Sequence, residues 1–349
     1  MIQVDGSSHS GSGTILRHAV TLATLMKKPL EVGRIRAKRP KPGLRPQHVQ
    51  ALRASCALSG GRLQGDEVGS DTIRYDPGSN LDGGEFSWDI GTAGSTTMLA
   101  FTVIPVALFA RNSSRFSIQG GLFQDFAPSA LHLEKVLMPL LRRMGAQVRL
   151  EILRPGYVPK GQGRLTVTVN RLRNPLKPLV MMEQGKPINM RAVSLASHLE
   201  EERVSERMAA RCKSLLDQRG YEAHVEVLQD ATAVQRGAVM LLWVETDTGC
   251  LLGADRAGKR GRSSESIGEF VVKTLMEDLQ TGATTDRHLA DQLILFGALA
   301  AGRTEYLVPQ VTEHVRSNLW LVEEILGAKT ALQANHLTIN GIGLSPHST

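Results

Sequence analysis

Between Arg34 and Arg62 the chain places eight basic side chains, Arg34, Arg36, Lys38, Arg39, Lys41, Arg45, Arg53 and Arg62, with no Asp or Glu from Glu31 to Asp66. Guanidinium forks match phosphate oxygens in pairs, so this one-signed run suits a phosphate-bearing ligand; the bland alternative is a solvated basic loop. Pro40, Pro42, Gly43 and Pro46 shape the loop, and Gln47 and His48 stand at the start of an expected helix whose free N–H groups attract anions. His314, in PQVTEHVRSN, also opens an expected helix. The helix dipole lowers imidazole basicity there, and with a reference pKa of about 6.5 the ring is mostly unprotonated at neutral pH and able to attack phosphorus. A structural histidine is the competing reading. In HLADQ, Asp291 is placed to bind a divalent ion or orient an imidazole, or else to serve as a first-turn acid on the helix dipole. The Gly/Ser segments DGSSHSGSG, Asp5 to Gly13, and GTAGS, Gly91 to Ser95, have the composition of phosphate cradles. They match neither the P-loop nor the GxGxxG fingerprint and serve equally as turns that cap helices.

These groups require elements to position them, and one pattern of elements occurs three times. Apolar spacing predicts a strand at Ile2 to Val4, a helix from Thr14 to Met26, a strand at Leu30 to Ala37, a helix from Gln47 to Leu58 and strands at Arg62 to Val68 and Thr72 to Tyr75. The second copy reads as a strand at Glu85 to Trp88, a helix from Gly94 to Ala110, a strand at Arg115 to Ile118, a helix from Ser129 to Met144 and strands at Gln147 to Leu153 and Arg164 to Val169. The third has helices His288 to Ala300 and Glu313 to Leu326, with strands near Glu305 to Val308, Thr330 to Leu332 and Leu337 to Ile339. Its opening strand is displaced to Leu179 to Met182.

Gly60, Gly145 and Gly327 end the second helix of each copy, and their spacing shows where the interruption lies. The first step is 85 residues (145 − 60) and the second 182 (327 − 145), so about 97 residues are inserted. The expected fold is therefore α+β: three β-α-β-α-β-β units around a pseudo-threefold axis, in a discontinuous domain of residues 1–183 and 282–349. A small α+β domain, residues 184–281, is inserted in the third unit. Its elements are strands at Asn189 to Ala196 and Ala223 to Val227, a hairpin from Val239 to Glu245 and Cys250 to Ala254, and helices Leu199 to Leu216 and Ser264 to Leu279.

Composition limits the partners. Forty-one Lys and Arg against 34 Asp and Glu give a net charge of +7, which favours anionic partners such as nucleic acid, nucleotides or phosphorylated metabolites. At 4% aromatic residues, a long base-stacking platform is not expected. Cys56, Cys212 and Cys250 are too few and too scattered for a disulfide framework or a cysteine-rich zinc site, consistent with a reducing cytoplasm. No apolar run approaches bilayer-spanning length and the N-terminus lacks an export signal, so no membrane partner is expected; no feature fixes an oligomeric state.

Taken in order, Asp5-Gly6, Ile15-Leu16-Arg17, Ile35-Arg36-Ala37, the PGLRPQH run Pro42 to His48, Gly91 to Ser95, Ala127-Pro128, Gly156-Tyr157, Gly258-Lys259-Arg260, Leu289 to Gln292 and His314 resemble the RNA 3'-terminal phosphate cyclase family over nearly the whole chain. That family's three repeated units with an inserted α+β domain match the division above. The resemblance implies an ATP-dependent reaction on RNA ending in a 3'-phosphate. His314 would take AMP from ATP as a covalent histidyl-AMP, AMP would pass to the RNA 3'-phosphate, and the neighbouring 2'-hydroxyl would close a 2',3'-cyclic phosphate and release AMP. Arg17, Arg36, Arg39, Gln47 and His48 match positions that hold phosphates, and Arg45 joins them from the basic run. Pro128, Leu289, Ala290, Asp291 and Gln292 match the adenylate pocket. Mg2+ or Mn2+ is the implied cation, with Asp291 as candidate ligand.

Three positions depart from the family pattern. Ser10 stands where a Glu associated with metal and ATP is usual, Phe101 replaces a Gln, and His288 replaces a Tyr that flanks adenine. These substitutions leave room for two other readings, a non-catalytic RNA-binding paralogue like the family's ribosome-assembly branch, and nucleotidyl transfer to another phosphate end such as a 5'-phosphate.

Overall fold

The computed structural model describes residues 1–346. It begins with β1 (Ile2–Asp5), α1 (Gly13–Leu25), β2 (Leu30–Gly33), α2 (Pro46–Ser59), β3 (Arg62–Gln64) and β4 (Ile73–Asp76). β1 and β2 are parallel, β4 runs antiparallel to both β2 and β3, and the sheet order is β1-β2-β4-β3. Next come β5 (Gly84–Asp89), α3 (Thr96–Leu108), β6 (Ser114–Gly120), α4 (Ala130–His132), a π-helical stretch Leu133–Leu137, α5 (Met138–Arg143), β7 (Val148–Arg154) and β8 (Gly163–Val169). Their sheet repeats both the order and the pairing senses, as β5-β6-β8-β7.

After β9 (Val180–Met181) the chain builds a different sheet from β10 (Pro187–Ser197), α6 (Val204–Asp217), β11 (Ala223–Asp230), β12 (Gly237–Thr246), β13 (Leu251–Ala257) and α7 (Ser264–Gln280). Its order is β11-β10-β12-β13, and α6 and α7 pack on each other and on its strands. The chain then adds α8 (Leu289–Leu299), β14 (Arg303–Leu307), α9 (Glu313–Leu326), β15 (Lys329–Gln333) and β16 (His336–Asn340). β14 returns parallel to β9, giving β9-β14-β16-β15, the order of the first two sheets again.

Between these sets the helix contacts form a ring: α2 packs on α3, the π-helical stretch on α8, and α9 on α1. All 13 residues of α1 are buried, because helices from other sets and its own sheet enclose it. Gly60 and Gly327 end α2 and α9 in the left-handed conformation, with φ of 62° and 71°, which a side chain would strain.

Several expected boundaries move, for local reasons. The strand expected over Leu30 to Ala37 stops at Gly33, since Arg34 and Arg36 turn the chain at φ of 51° and 56°. The strand expected to reach Val68 stops at Gln64, ahead of Gly65 at φ of 78°. The helix expected from Ser129 to Met144 contains the π-helical turn, and α6 starts at Val204 rather than Leu199 because Arg203 is left-handed at φ of 50°. No helix among the described residues is long and apolar enough to cross a membrane.

Candidate active site

The ring of helices brings the N-terminal turns of α1, α2, α3, α8 and α9 to a cavity of about 620 Å³. α1 lines it with Gly13, Thr14, Arg17 and His18, and α2 with Gln47 and His48 beside Arg45. Ser95, Met98 and Phe101 enter from the start of α3, His288, Asp291 and Gln292 from that of α8, and His314 from that of α9. Arg36 and Arg39 of the basic loop and residues 124–128, ahead of α4, complete the wall. Five helix starts converge on one cavity, so the partial positive charge of their ends favours an anion there, even where caps take up part of their N–H groups.

The helix starts are fixed by side-chain caps. Ser12 Oγ accepts from Thr14 N at 3.3 Å, Ser95 Oγ from Met98 N at 3.1 Å and Thr312 Oγ1 from Val315 N at 3.2 Å. Arg45 N donates to His48 Nδ1 at 3.1 Å, which leaves His48 Nε2 to carry the ring proton in the neutral form. Gly13 is required beside it, because a Cβ there would lie 2.2 Å from His48 Nε2. Gln47 Oε1 accepts from Ser95 N at 2.9 Å and so ties α2 to the cap of α3.

Positive charge in the cavity is uncompensated. Among the described residues no carboxylate lies within 4.0 Å of Arg17, Arg36, Arg39 or Arg45. Arg17, 7% exposed, donates only to Thr14 Oγ1 at 3.3 Å and Met98 Sδ at 3.2 Å, and burial pulls its pKa down to about 10, with the Asp291 charge opposing and Arg36 adding to the fall. Arg36 donates to the carbonyls of Lys41 and Gly43 at 2.7 and 2.8 Å, which locks the basic loop. Burial, then the Arg17 charge, holds His18 neutral with a pKa lowered to about 3, and the same two causes, in the same order, depress His48.

His314 is the second residue of α9. Burial, reinforced by Arg17, Arg39 and His288, lowers its pKa below the usual 6.5, with Glu313 opposing. Its Nδ1 is buried without a partner, so Nε2 is the nitrogen open to the cavity. Opposite in sign, Asp291 is pushed up to about 7 by burial, with Asp286 adding to the effect and Arg17 and His132 opposing it. Asn318 Nδ2 donates to the Asp291 carbonyl at 2.9 Å and lies 3.4 Å from its Oδ2. Gln292, 4% exposed, has an unpartnered Oε1 in the wall.

Of the residues singled out in the sequence, Arg17, Arg36, Arg39, Arg45, Gln47, His48, Phe101, Pro128, His288, Asp291, Gln292 and His314 meet at this cavity. Leu289 and Ala290 do not. Both are fully buried in the core, because the turn of α8 that presents His288, Asp291 and Gln292 outward aims the two residues between them inward. Asp5 is also absent from the wall: its carboxylate accepts from Ser7 N and Oγ at 2.9 and 2.7 Å and pairs with Arg34. Phe101 reaches the cavity from the core, packed on His18 and Phe296 with centroids 5.6 and 5.8 Å away. Ser10 is turned towards α9, with Ser317 Oγ donating to its Oγ at 2.8 Å and its own N donating to Ser317 Oγ at 3.2 Å. Among the described residues no three His, Cys, Asp or Glu side chains gather as a metal site, and with Asp125 taken up by Arg262, Asp291 is the cavity carboxylate without an ion-pair partner.

A buried node beside the cavity has no counterpart in the sequence pattern. Asp286 Oδ1 accepts from His288 N and Leu289 N, both at 2.8 Å, and Oδ2 from Gly253 N at 2.9 Å; Oδ2 also lies 3.0 Å from His132 Nε2. It joins α8, α4 and β13, and both side chains of the ion pair are fully buried. His18 and the Gln124-Asp125-Phe126 segment also escape sequence reasoning; the only available signal is their adjacency to Arg17 and to Ala127-Pro128.

Residues 8–332 match the model of a family described as RNA 3'-terminal phosphate cyclase. An RNA 3'-terminal phosphate cyclase of Archaeoglobus fulgidus is 37% identical over 343 residues, covering 97% of this chain and 100% of its own. Proteins of the same name from Pyrobaculum neutrophilum and Methylococcus capsulatus are each 34% identical, covering 95% of this chain and 95% of their own in the first case, and 93% and 90% in the second. An enolpyruvyl transferase of Streptomyces tendae, 11% identical with a TM-score of 0.22 over 98% of this chain and 81% of its own, is too unlike it to bear on fold or chemistry. With full-length relatives above 30% identity and a family match from residue 8 to 332, the chain belongs to the RNA 3'-terminal phosphate cyclase family.

Proposed function

We propose that this protein converts an RNA 3'-terminal phosphate into a 2',3'-cyclic phosphate at the expense of ATP, with His314 as the nucleophile. The observation that carries the reading is one cavity holding unpaired Arg17, Arg36, Arg39 and Arg45 beside an imidazole kept unprotonated, with its Nε2 exposed. With the ring proton on Nδ1, the Nε2 lone pair attacks the α-phosphorus of ATP; an N–P bond forms as the bond to pyrophosphate breaks. A 3'-phosphate oxygen of the RNA then takes the AMP, breaking the N–P bond and restoring neutral His314. The 2'-hydroxyl gives up its proton to solvent as its oxygen attacks the now activated 3'-phosphorus, and AMP leaves with the electron pair of the cleaved bond. Adenylylation supplies the leaving group that a bare phosphate lacks, and the adjacent hydroxyl is already in place.

The four arginines, the His48 Nε2–H and the helix starts stabilise charge that accumulates on phosphate oxygens. His288, Gln292, Phe101 and Pro128 form the side of the cavity assigned to the nucleoside. Mg2+ or Mn2+, when bound, would neutralise triphosphate charge, with Asp291 and phosphate oxygens as its ligands, a mode that suits a lone carboxylate. We also read the three like sheets as repeats about a pseudo-threefold axis, with residues 184–281 as an inserted domain. The three cysteines are free, in keeping with a reducing cytoplasm.

Ser10, bound to Ser317 where the family pattern has a Glu, favours a second reading, RNA binding without turnover. Incubating the protein with ATP, Mg2+ or Mn2+ and an end-labelled oligonucleotide separates the possibilities. A phosphatase-resistant 3' end that requires His314 supports the cyclase. Binding without any change at either end supports the second reading, and a modified 5' end supports transfer to that acceptor instead.

A further inference from the structure

Phe126 is fully exposed, yet it belongs to the cavity wall, in the loop between β6 and α4. The loop is pinned on both sides. Upstream, Leu122 N and Phe123 N donate to the Gly156 carbonyl at 2.9 and 3.1 Å, and downstream Ser129 N donates to Asp255 Oδ2 at 2.6 Å. Asp125 itself is clamped by Arg262, which donates to both carboxylate oxygens at 2.7 and 2.9 Å, with Arg256 at 3.6 Å and Lys259 at 3.8 Å. A single exposed apolar side chain is ordinary; a phenyl ring held out from a doubly anchored loop at the rim of a phosphate cavity is a prepared contact surface.

The chemistry around the ring identifies its occupant. Lys259 is 63% exposed and Arg260 is exposed in the same loop that supplies Arg262, so this rim is basic as well as aromatic. An aromatic face beside solvent-exposed cations fits a stacked base followed by backbone phosphates, the mode in which single-stranded nucleic acid is held without sequence preference. We propose that Phe126 stacks on a base at the 3' end of the RNA, and that Lys259 and Arg260 hold the phosphates leading up to it. Asp125 acts as the joint that sets the basic loop at the right place beside the ring. The inserted sheet thus takes part in substrate binding through the loop between β13 and α7. This inference rests on the cyclase reading for the identity of the strand end, and it is tested by binding alone, without turnover.

The experiment measures affinity, in the absence of ATP, for a 3'-phosphorylated single-stranded RNA and for the same RNA with abasic terminal nucleotides. Phe126→Ala is expected to weaken binding of the intact RNA by roughly five- to a hundred-fold, to leave the abasic RNA little affected, and to be rescued by Phe126→Trp. Because the ring is fully exposed, its removal does not disturb packing. The Lys259→Ala/Arg260→Ala pair is expected to flatten the dependence of log affinity on log salt by roughly 0.7 for each phosphate that is no longer neutralised. Equal binding of intact and abasic RNA by the unaltered protein, or equal weakening of both in Phe126→Ala, overturns the inference. RNA affinity that depends on Phe126 in a protein that forms no cyclic phosphate would instead refute the cyclase reading and leave this one standing.

Discussion

Asp286 and Asp291 lie on either side of the start of α8, the first fully buried and the second half-buried at the cavity, and their surroundings treat them in opposite ways. Asp286 accepts three backbone N–H groups and faces His132 at 3.0 Å. Although burial alone would raise its pKa, His132 and these donors hold it down at about 2. Asp291 has the amide of Asn318 and its own backbone N–H, no cation within 4.0 Å among the described residues, and, with burial outweighing these, a pKa raised to about 7. The fold directs its donors to the carboxylate that joins α8 to α4 and β13, and leaves bare the one that faces the cavity. The same holds for the cations, since Arg287 is paired with Asp278 at 2.8 Å while Arg17 is left without a carboxylate. Charges that are satisfied hold the frame, and those left unsatisfied are available to a ligand.

Breaking the satisfied node has the largest expected effect. Asp286→Ala leaves His132 Nε2 and three backbone N–H groups buried without an acceptor and should cost about 3–5 kcal/mol in urea unfolding; a loss under 1 kcal/mol would mean the node is not structural. Arg17→Met is expected to act with opposite signs on its two readouts. Stability rises by about 1 kcal/mol as an unpaired buried cation is removed, while affinity for ATP falls by roughly ten- to a hundred-fold as a phosphate fork is removed. A variant that loses stability and keeps affinity would place Arg17 with the frame.

Asp291→Asn sharpens the contrast through pH. The folded pKa of Asp291, about 7, exceeds its reference value of 3.8, so its contribution to stability is present below 3.8 and is lost as pH rises through 7. Asp286 works the other way: its contribution is present above 3.8 and is lost as pH falls towards 2. Asp291→Asn should therefore be more stable than the unaltered protein at pH 8 and equal to it near pH 4, as urea midpoints would show; parity at both values would contradict the raised pKa. The smallest expected effect is at Ser10. Ser10→Ala removes the hydrogen bond from Ser317 and should cost about 1 kcal/mol, with adenylylation changed less than about twofold. A large fall in adenylylation would mean that the serine serves the nucleotide and not α9.

The frame is more legible in the sequence than the site's electrostatics. Helix-ending glycines and apolar spacing report α1, α2, α3, α8 and α9, because both are local signals. The turn at Arg34 and Arg36 is hidden, since a left-handed conformation at a non-glycine residue leaves no mark in composition. So is the Asp286 node, whose partners His132 and Gly253 lie far off in sequence. The arginines, His314 and Asp291 stand out as residue types, but only packing settles which side of α8 faces the cavity, and that sends Leu289 and Ala290 to the core.

The most direct test of the unsatisfied cavity as a nucleotidyl-transfer site is incubation of the purified protein with α-labelled ATP and Mg2+ or Mn2+, without RNA, followed by mapping of any covalent label. The account predicts an acid-labile adenylate on His314, absent in His314→Ala, whose formation falls off at lower pH than an ordinary imidazole would allow, since burial and Arg17 lower the His314 pKa. No adduct with either metal, or an adduct that persists in His314→Ala, would contradict it.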